Sequence, residues 1–86
     1  MTEPKSAPDY EGLVHFLMAP LLDDPSTLAI DCEVTRGGSR VRVRVSFDSD
    51  ERGRVFGRGG RTIQAVRQVM IAAAKNADQS LSLDVV

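Results

Sequence analysis

The sequence is poor in several things that small proteins use to hold themselves together or to do chemistry. It has one cysteine, Cys32, so no intrachain disulfide can form. A chain of 86 residues without that staple is expected in a reducing compartment, with Cys32 as a buried structural thiol. It has one histidine, His15, with no Cys, Asp or second His at ligand spacing, so a structural position is expected there and no metal site. It has no tryptophan, one tyrosine and three phenylalanines, too few for the aromatic sheet surface on which some RNA-binding domains stack bases. No run approaches the ~20 apolar residues of a membrane span. Residues 1–8 also lack the apolar core of a signal peptide, and a soluble cytoplasmic protein is the expectation. No nucleophile stands beside a base, and no paired carboxylates or cofactor motif emerge, so the chain reads as a non-enzyme without a cofactor.

What is present is unevenly distributed. The formal net charge is −1, yet residues 1–33 carry seven acids against Lys5 alone, while residues 34–86 carry ten bases against five acids. Five arginines (52, 54, 58, 61 and 67) fall between Arg52 and Arg67 with no acid among them. A local basic stretch of this kind attracts phosphate even on a nearly neutral protein.

The length suits one domain, expected over residues 9–86 behind a disordered tail at 1–8. Tyr10, Leu13, Val14, Leu17, Met18 and Leu21 recur at helical spacing behind Asp9 as N-cap, and Pro20 should kink the last turn. Leu28, Ile30, Cys32 and Val34, then Val41, Val43, Val45 and Phe47, alternate as half-buried strands around Gly37-Gly38, a favoured hairpin turn. Pairing Arg36 with Ser39 sets Val34 opposite Val41, Cys32 opposite Val43 and Ile30 opposite Val45. On the other face Glu33 then meets Arg42 and Asp31 meets Arg44. Those two arginines read as partners of the acids on a solvated sheet face, with direct RNA contact as the alternative.

Asp48 or Ser49 should cap a short helix that runs through Phe56 and stops at Gly57. A longer helix follows from Arg61 to about Ala77, with Ile63, Val66, Met70, Ala73 and Ala77 toward the core. Ala65, Val69 and Ala72 widen its apolar arc beyond what one contact needs. Leu81, Leu83 and Val85 form a last strand. The crossover before it demands parallel pairing with the second strand. The fold class is α+β: order α-β-β-α-α-β, a three-stranded mixed sheet covered on one face by three helices.

Three glycines within four residues, Gly57, Gly59 and Gly60, join the last two helices, so a sugar-phosphate backbone can approach the main chain closely. The helix that follows directs its free amides and positive dipole end into the loop, and Arg58 and Arg61 add charge-assisted contacts. A nucleotide-binding P-loop would need Lys-Ser/Thr where Arg61-Thr62 stands, and a dinucleotide fingerprint would need a third glycine at Thr62. A helix–helix turn without ligand is the alternative.

Val55-Phe56-Gly57-Arg58-Gly59-Gly60-Arg61-Thr62-Ile63, followed by Val66-Arg67, resembles the V-I-G-x-x-G-x-x-I-x-x-[IV]-R signature of KH domains. The element order resembles the type II arrangement, and the size resembles the small stand-alone bacterial KH proteins of the KhpA kind. The resemblance implies single-stranded RNA as ligand, with a loop that clamps about four nucleotides of backbone. It implies Gly57 and Gly60 as framing glycines, Arg58 and Gly59 at the phosphates, and Phe56 and Ile63 as flanks. Val55, Ala65, Val66 and Val69 are its groove candidates, and Ile63 and Val66 read equally as core. With Arg54, Arg61 and Arg67 these residues make up the expected site. Phe56, usually Ile, and Gly59, often larger and polar, depart from the pattern. The resemblance further implies an RNA chaperone or post-transcriptional regulator that acts as a homodimer or with a second, KhpB-like KH protein. The alternative is a protein-interaction or ribosome-assembly module.

Overall fold

The computed structural model describes residues 8–86, so the expected tail lies, but for Pro8, outside the described residues. The elements are α1 (Tyr10–Met18), β1 (Ala29–Thr35), β2 (Arg40–Ser46), α2 (Arg52–Phe56), α3 (Arg61–Asn76) and β3 (Ser80–Val85). The Asp9 carboxylate caps α1 by accepting from the Gly12 amide at 3.0 Å. Pro20 acts by ending the α-helix at Met18 rather than kinking it: Ala19–Leu21 continue as a single 3-10 turn, which tolerates the missing amide.

The sheet order is β1-β2-β3, with β1 antiparallel and β3 parallel to β2. Val34 pairs with Val41, Cys32 with Val43 and Ile30 with Val45, as the alternation requires. Gly37 (φ 66°) and Gly38 (φ 93°) form the turn, where positive φ at both central positions matches the twist of the strands. The Ser39 amide donates to the Arg36 carbonyl at 3.2 Å, but Arg36 itself has φ 54°, and the ladder stops one pair earlier, at Thr35 and Arg40. Leu28 and Phe47 fall just outside the strands and pack partly buried against the core.

One expectation of the hairpin is corrected. Glu33 does stand opposite Arg42 and Asp31 opposite Arg44, yet the one ion pair within 4 Å among the described residues is Arg54–Asp23. On an exposed face, fixing two long side chains in one geometry costs about as much as their screened attraction returns.

The core lies between Val41, Val43, Val45 and Leu83 of the sheet and the buried stripes of the helices, Tyr10-Val14-Met18 on α1 and Ile63-Val66-Met70-Ala74 on α3. Ala74, not Ala73 or Ala77, completes the second stripe: the spacing after Met70 is four, and Ala77 has already left the helix. Behind α3 a single side chain gathers three segments. Gln79 donates to the Gly38 carbonyl at 2.5 Å and accepts from the Tyr10 hydroxyl, which satisfies the polar end of an otherwise buried ring. Cys32 is half-buried. Burial first, and then Glu11, Asp31 and Asp9, push its thiol pKa up, which disfavours the reactive thiolate. No helix among the described residues is long and apolar enough to cross a membrane.

Met70 is fully buried and its neighbour Ile71 is 41% exposed. Met70→Ala is therefore expected to cost about 2–5 kcal/mol of stability in urea denaturation. Ile71→Ala should stay within about 0.5 kcal/mol of the parent.

Candidate nucleic-acid interface

The glycine loop is held at its entry by α2, and α2 is held by the connection between α1 and β1. Asp48 caps the 3-10 turn that leads into it, accepting from the Asp50 amide at 3.1 Å. Glu51, the one buried charged side chain among the described residues, takes the amide of Asp23 and, at 3.4 Å, that of Asp24. One turn later Arg54 reaches the Asp23 carboxylate at 2.9 Å. The turn before α2 and α2 itself thus both hold Asp23, and Glu51 holds Asp24 as well.

At the end of α2 the chain turns through Gly57 at φ 66°, ψ −168°, a conformation essentially confined to glycine. A Cβ at Gly57 would lie 2.4 Å from Oγ1 of Thr62, so the contact between α2 and the start of α3 also depends on the missing side chain. Gly59 (φ 64°, ψ 20°) and Gly60 (φ 74°, ψ 16°) return the chain to α3, and a Cβ at either would meet open space. Gly57, Arg58, Gly59 and Arg61 are exposed and Gly60 is half-exposed. The 16-residue helix that begins at Arg61 points its positive end at this surface.

The five arginines divide by what they touch. Arg54 is paired with Asp23, and the Arg67 Nε donates to the Leu83 carbonyl at 3.2 Å while its Nη1 donates to Gln64 Oε1 at 3.0 Å. The Arg52 guanidinium lies 4.8 Å from the centroid of the half-buried Phe56 ring, within cation–π range. No side-chain hydrogen bond or ion pair among the described residues engages Arg58 or Arg61. Those two are the free cations of the loop.

The apolar residues expected beside the loop also divide. Val55, Ile63 and Val66 are buried at 0%, 3% and 6% exposure, and they belong to the core that fixes α2 and α3. Their place follows from the helical stripe that faces the sheet, and it withdraws them from any surface groove. Ala65 is exposed and Val69 is 46% exposed. At 3.6 residues per turn both lie about 200° around α3 from Arg67, on the opposite flank of the helix. The expected site left out Glu51, Thr62 and Arg52, the last counted only as part of the basic run. For Arg52 the i, i+4 spacing to Phe56 was the available signal.

Among known families, the model described as "KhpA/KhpB, KH domain" matches residues 11–85. The chain is similar to the "RNA-binding protein KhpA" of Bacillus subtilis (strain 168), 27% identical over 87% of this chain and 90% of that protein. It is similar to proteins of the same name from Halalkalibacterium halodurans, 30% identical over 86% of this chain and 95% of that one, and from Streptococcus pneumoniae serotype 4, 35% identical over 70% and 73%. No solved structure gives a significant match.

Gly57→Ala should lower stability by about 1–3 kcal/mol, because it places a side chain both in a glycine conformation and against Thr62. Gly59→Asn, which enters a left-handed conformation that Asn tolerates and meets no atom, should cost much less. Paired urea titrations measure the difference.

Proposed function

The chain belongs to the KhpA/KhpB KH-domain family, and on that premise we propose that it binds single-stranded RNA by laying the sugar-phosphate backbone across Gly57-Arg58-Gly59-Gly60. The observation that carries this reading is an exposed loop of left-handed glycines at the positive end of a 16-residue helix, with Arg58 and Arg61 unneutralised beside it. Bare main chain lets a phosphate approach closely, and the dipole and guanidinium groups then stabilise its charge. The relatives that bear the name RNA-binding protein support the same ligand.

Each residue then has a part. Gly57 and Gly60 frame the turn, and Arg58 and Arg61 contact phosphate. Arg52 over Phe56 offers a cationic, partly apolar surface next to the loop. Arg54 and Arg67, already bonded to Asp23 and Leu83, hold the elements around the loop and act on RNA through position. Val55, Ile63 and Val66 are the packed floor beneath it. With so few aromatics to stack on bases, recognition rests on backbone contacts and aliphatic packing, and sequence selectivity is modest.

A single small surface of this kind binds weakly, and two copies or a paired KH protein would gain by effective concentration. The exposed flank of α3 formed by Ala65, Val69 and Ala72 supports self-association or pairing with a KhpB-like partner. RNA chaperoning or post-transcriptional regulation is the role this combination fits. The same flank is the feature that favours the second reading, a module that docks a partner protein, for example in ribosome assembly.

Arg58→Asp/Gly59→Asp is expected to weaken binding of short single-stranded RNA more than tenfold with an unchanged circular dichroism spectrum. The parent affinity should fall with salt by about 0.7 log units per log unit for each phosphate neutralised. Normal RNA binding by the double variant would remove the loop from the account. Val69→Lys should shift sedimentation toward monomer without loss of fold; an unchanged profile would remove that flank as the association surface.

A further inference from the structure

The far end of the domain carries a second cationic surface. Where the hairpin turn meets the turn from α3 to β3, a cleft of about 640 Å³ opens, lined by Arg36, Arg40, Lys75, Asp78 and Gln79 among others. Three cations against one carboxylate leave it with a formal charge of +2 (3 − 1), and none of the three is in an ion pair among the described residues. This contrasts with Arg54, which the chain neutralises with its own Asp23.

The walls of the cleft are built. Gln79 holds the Gly38 carbonyl and the Tyr10 hydroxyl, and the Ser80 amide donates to the Ser39 carbonyl at 2.8 Å, which binds the two turns together. The amides of Ala77, Asp78 and Gln79 return to the carbonyls of Ala74 and Lys75 and close the last turn of α3; its negative dipole end lies beside the cleft, and an anion there depends on the excess of Arg36, Arg40 and Lys75 over it. Arg36 (φ 54°) and Asp78 (φ 58°) are the two non-glycine residues with positive φ among the described residues, and both line this cleft. That conformation is uncommon outside glycine.

The cleft lies at the C-terminal end of α3 and the glycine loop at its N-terminal end. Sixteen residues separate them, about 24 Å of helix. We propose that the cleft is a second phosphate-binding site, which takes the sugar-phosphate backbone of an RNA strand beyond the segment held at the glycine loop. The proposal rests on the RNA-binding reading above. A strand that covers the loop alone leaves Arg36, Arg40 and Lys75 unused; a longer one neutralises them and gains three phosphate contacts.

The test is fluorescence anisotropy on the full chain, with a labelled tetranucleotide and a single strand about three times as long, between about 50 and 200 mM salt. Arg36→Gln/Arg40→Gln/Lys75→Gln should weaken the longer strand at least tenfold and flatten its log–log salt slope by about 2, three contacts at about 0.7 each. The tetranucleotide should change less than twofold. Asp78→Asn, which removes the opposing carboxylate, should tighten the longer strand alone. Urea midpoints report that each variant is folded. Unchanged affinity and slope for the longer strand overturn the proposal, and so does an equal loss for both lengths, which reports net charge rather than a site. If Arg58→Asp/Gly59→Asp leaves the tetranucleotide bound, the glycine loop is wrong; should the longer strand still depend on Arg36, Arg40 and Lys75, the cleft stands without it. If the parent chain binds neither strand, both fail.

Discussion

Two helices meet at Gly57 because that residue has no side chain. Its backbone occupies a conformation closed to other residues, and Thr62 fills the space where a Cβ would stand. From that contact follow the angle at which α3 leaves α2, the outward bow of residues 57–60, and the aim of the helix's positive end into the bow. The remaining structure supports this one junction. Glu51 and Arg54 bind α2 to Asp23 and Asp24, while Val55, Ile63 and Val66 bury the inner faces of both helices against the sheet.

Electrostatics separates residues that look alike in the sequence. Arginines 52, 54, 58, 61 and 67 form one basic run, yet an acid from the α1–β1 connection neutralises one, a strand carbonyl holds another and an aromatic ring lies under a third. Arg58 and Arg61, which flank the glycines, are left to solvent. A bound phosphate therefore need not compete with an internal carboxylate at those two positions, and that matters more than the chain's net charge of −1.

The parts of this arrangement governed by short-range periodicity were legible in advance. Alternation around Gly37-Gly38 specifies the register because a slip by one residue would turn Val41, Val43 and Val45 to water, and the observed ladder has that register. Asp9 as a cap, Asp48 as one of two cap candidates with Ser49, and Gly57 as a stop follow from local hydrogen bonding in the same way. Contacts between distant segments were not legible. Nothing near Glu51 announces that its carboxylate will serve amides 27 and 28 positions earlier, and nothing near Gln79 points to Tyr10. The cross-strand ion pairs failed for a different reason, since register brings charges opposite one another but cannot supply the energy to lock them on an exposed face. In the candidate site, pattern identified the loop and its glycines. Helical spacing pointed Ile63 and Val66 toward the core but left them, with Val55, as groove candidates beside Ala65 and Val69; the choice needs the position of the sheet, against which the first three are buried.

The central claim is that an RNA backbone lies against the main chain between α2 and α3. Residue-resolved amide NMR during titration with a short single-stranded RNA tests it most directly. The account predicts that the largest shifts fall on Arg58, Gly59, Gly60 and Arg61, with smaller ones along α3. Shifts confined to the outer face of the sheet, at Arg42 and Arg44, with the loop amides unmoved, would contradict it.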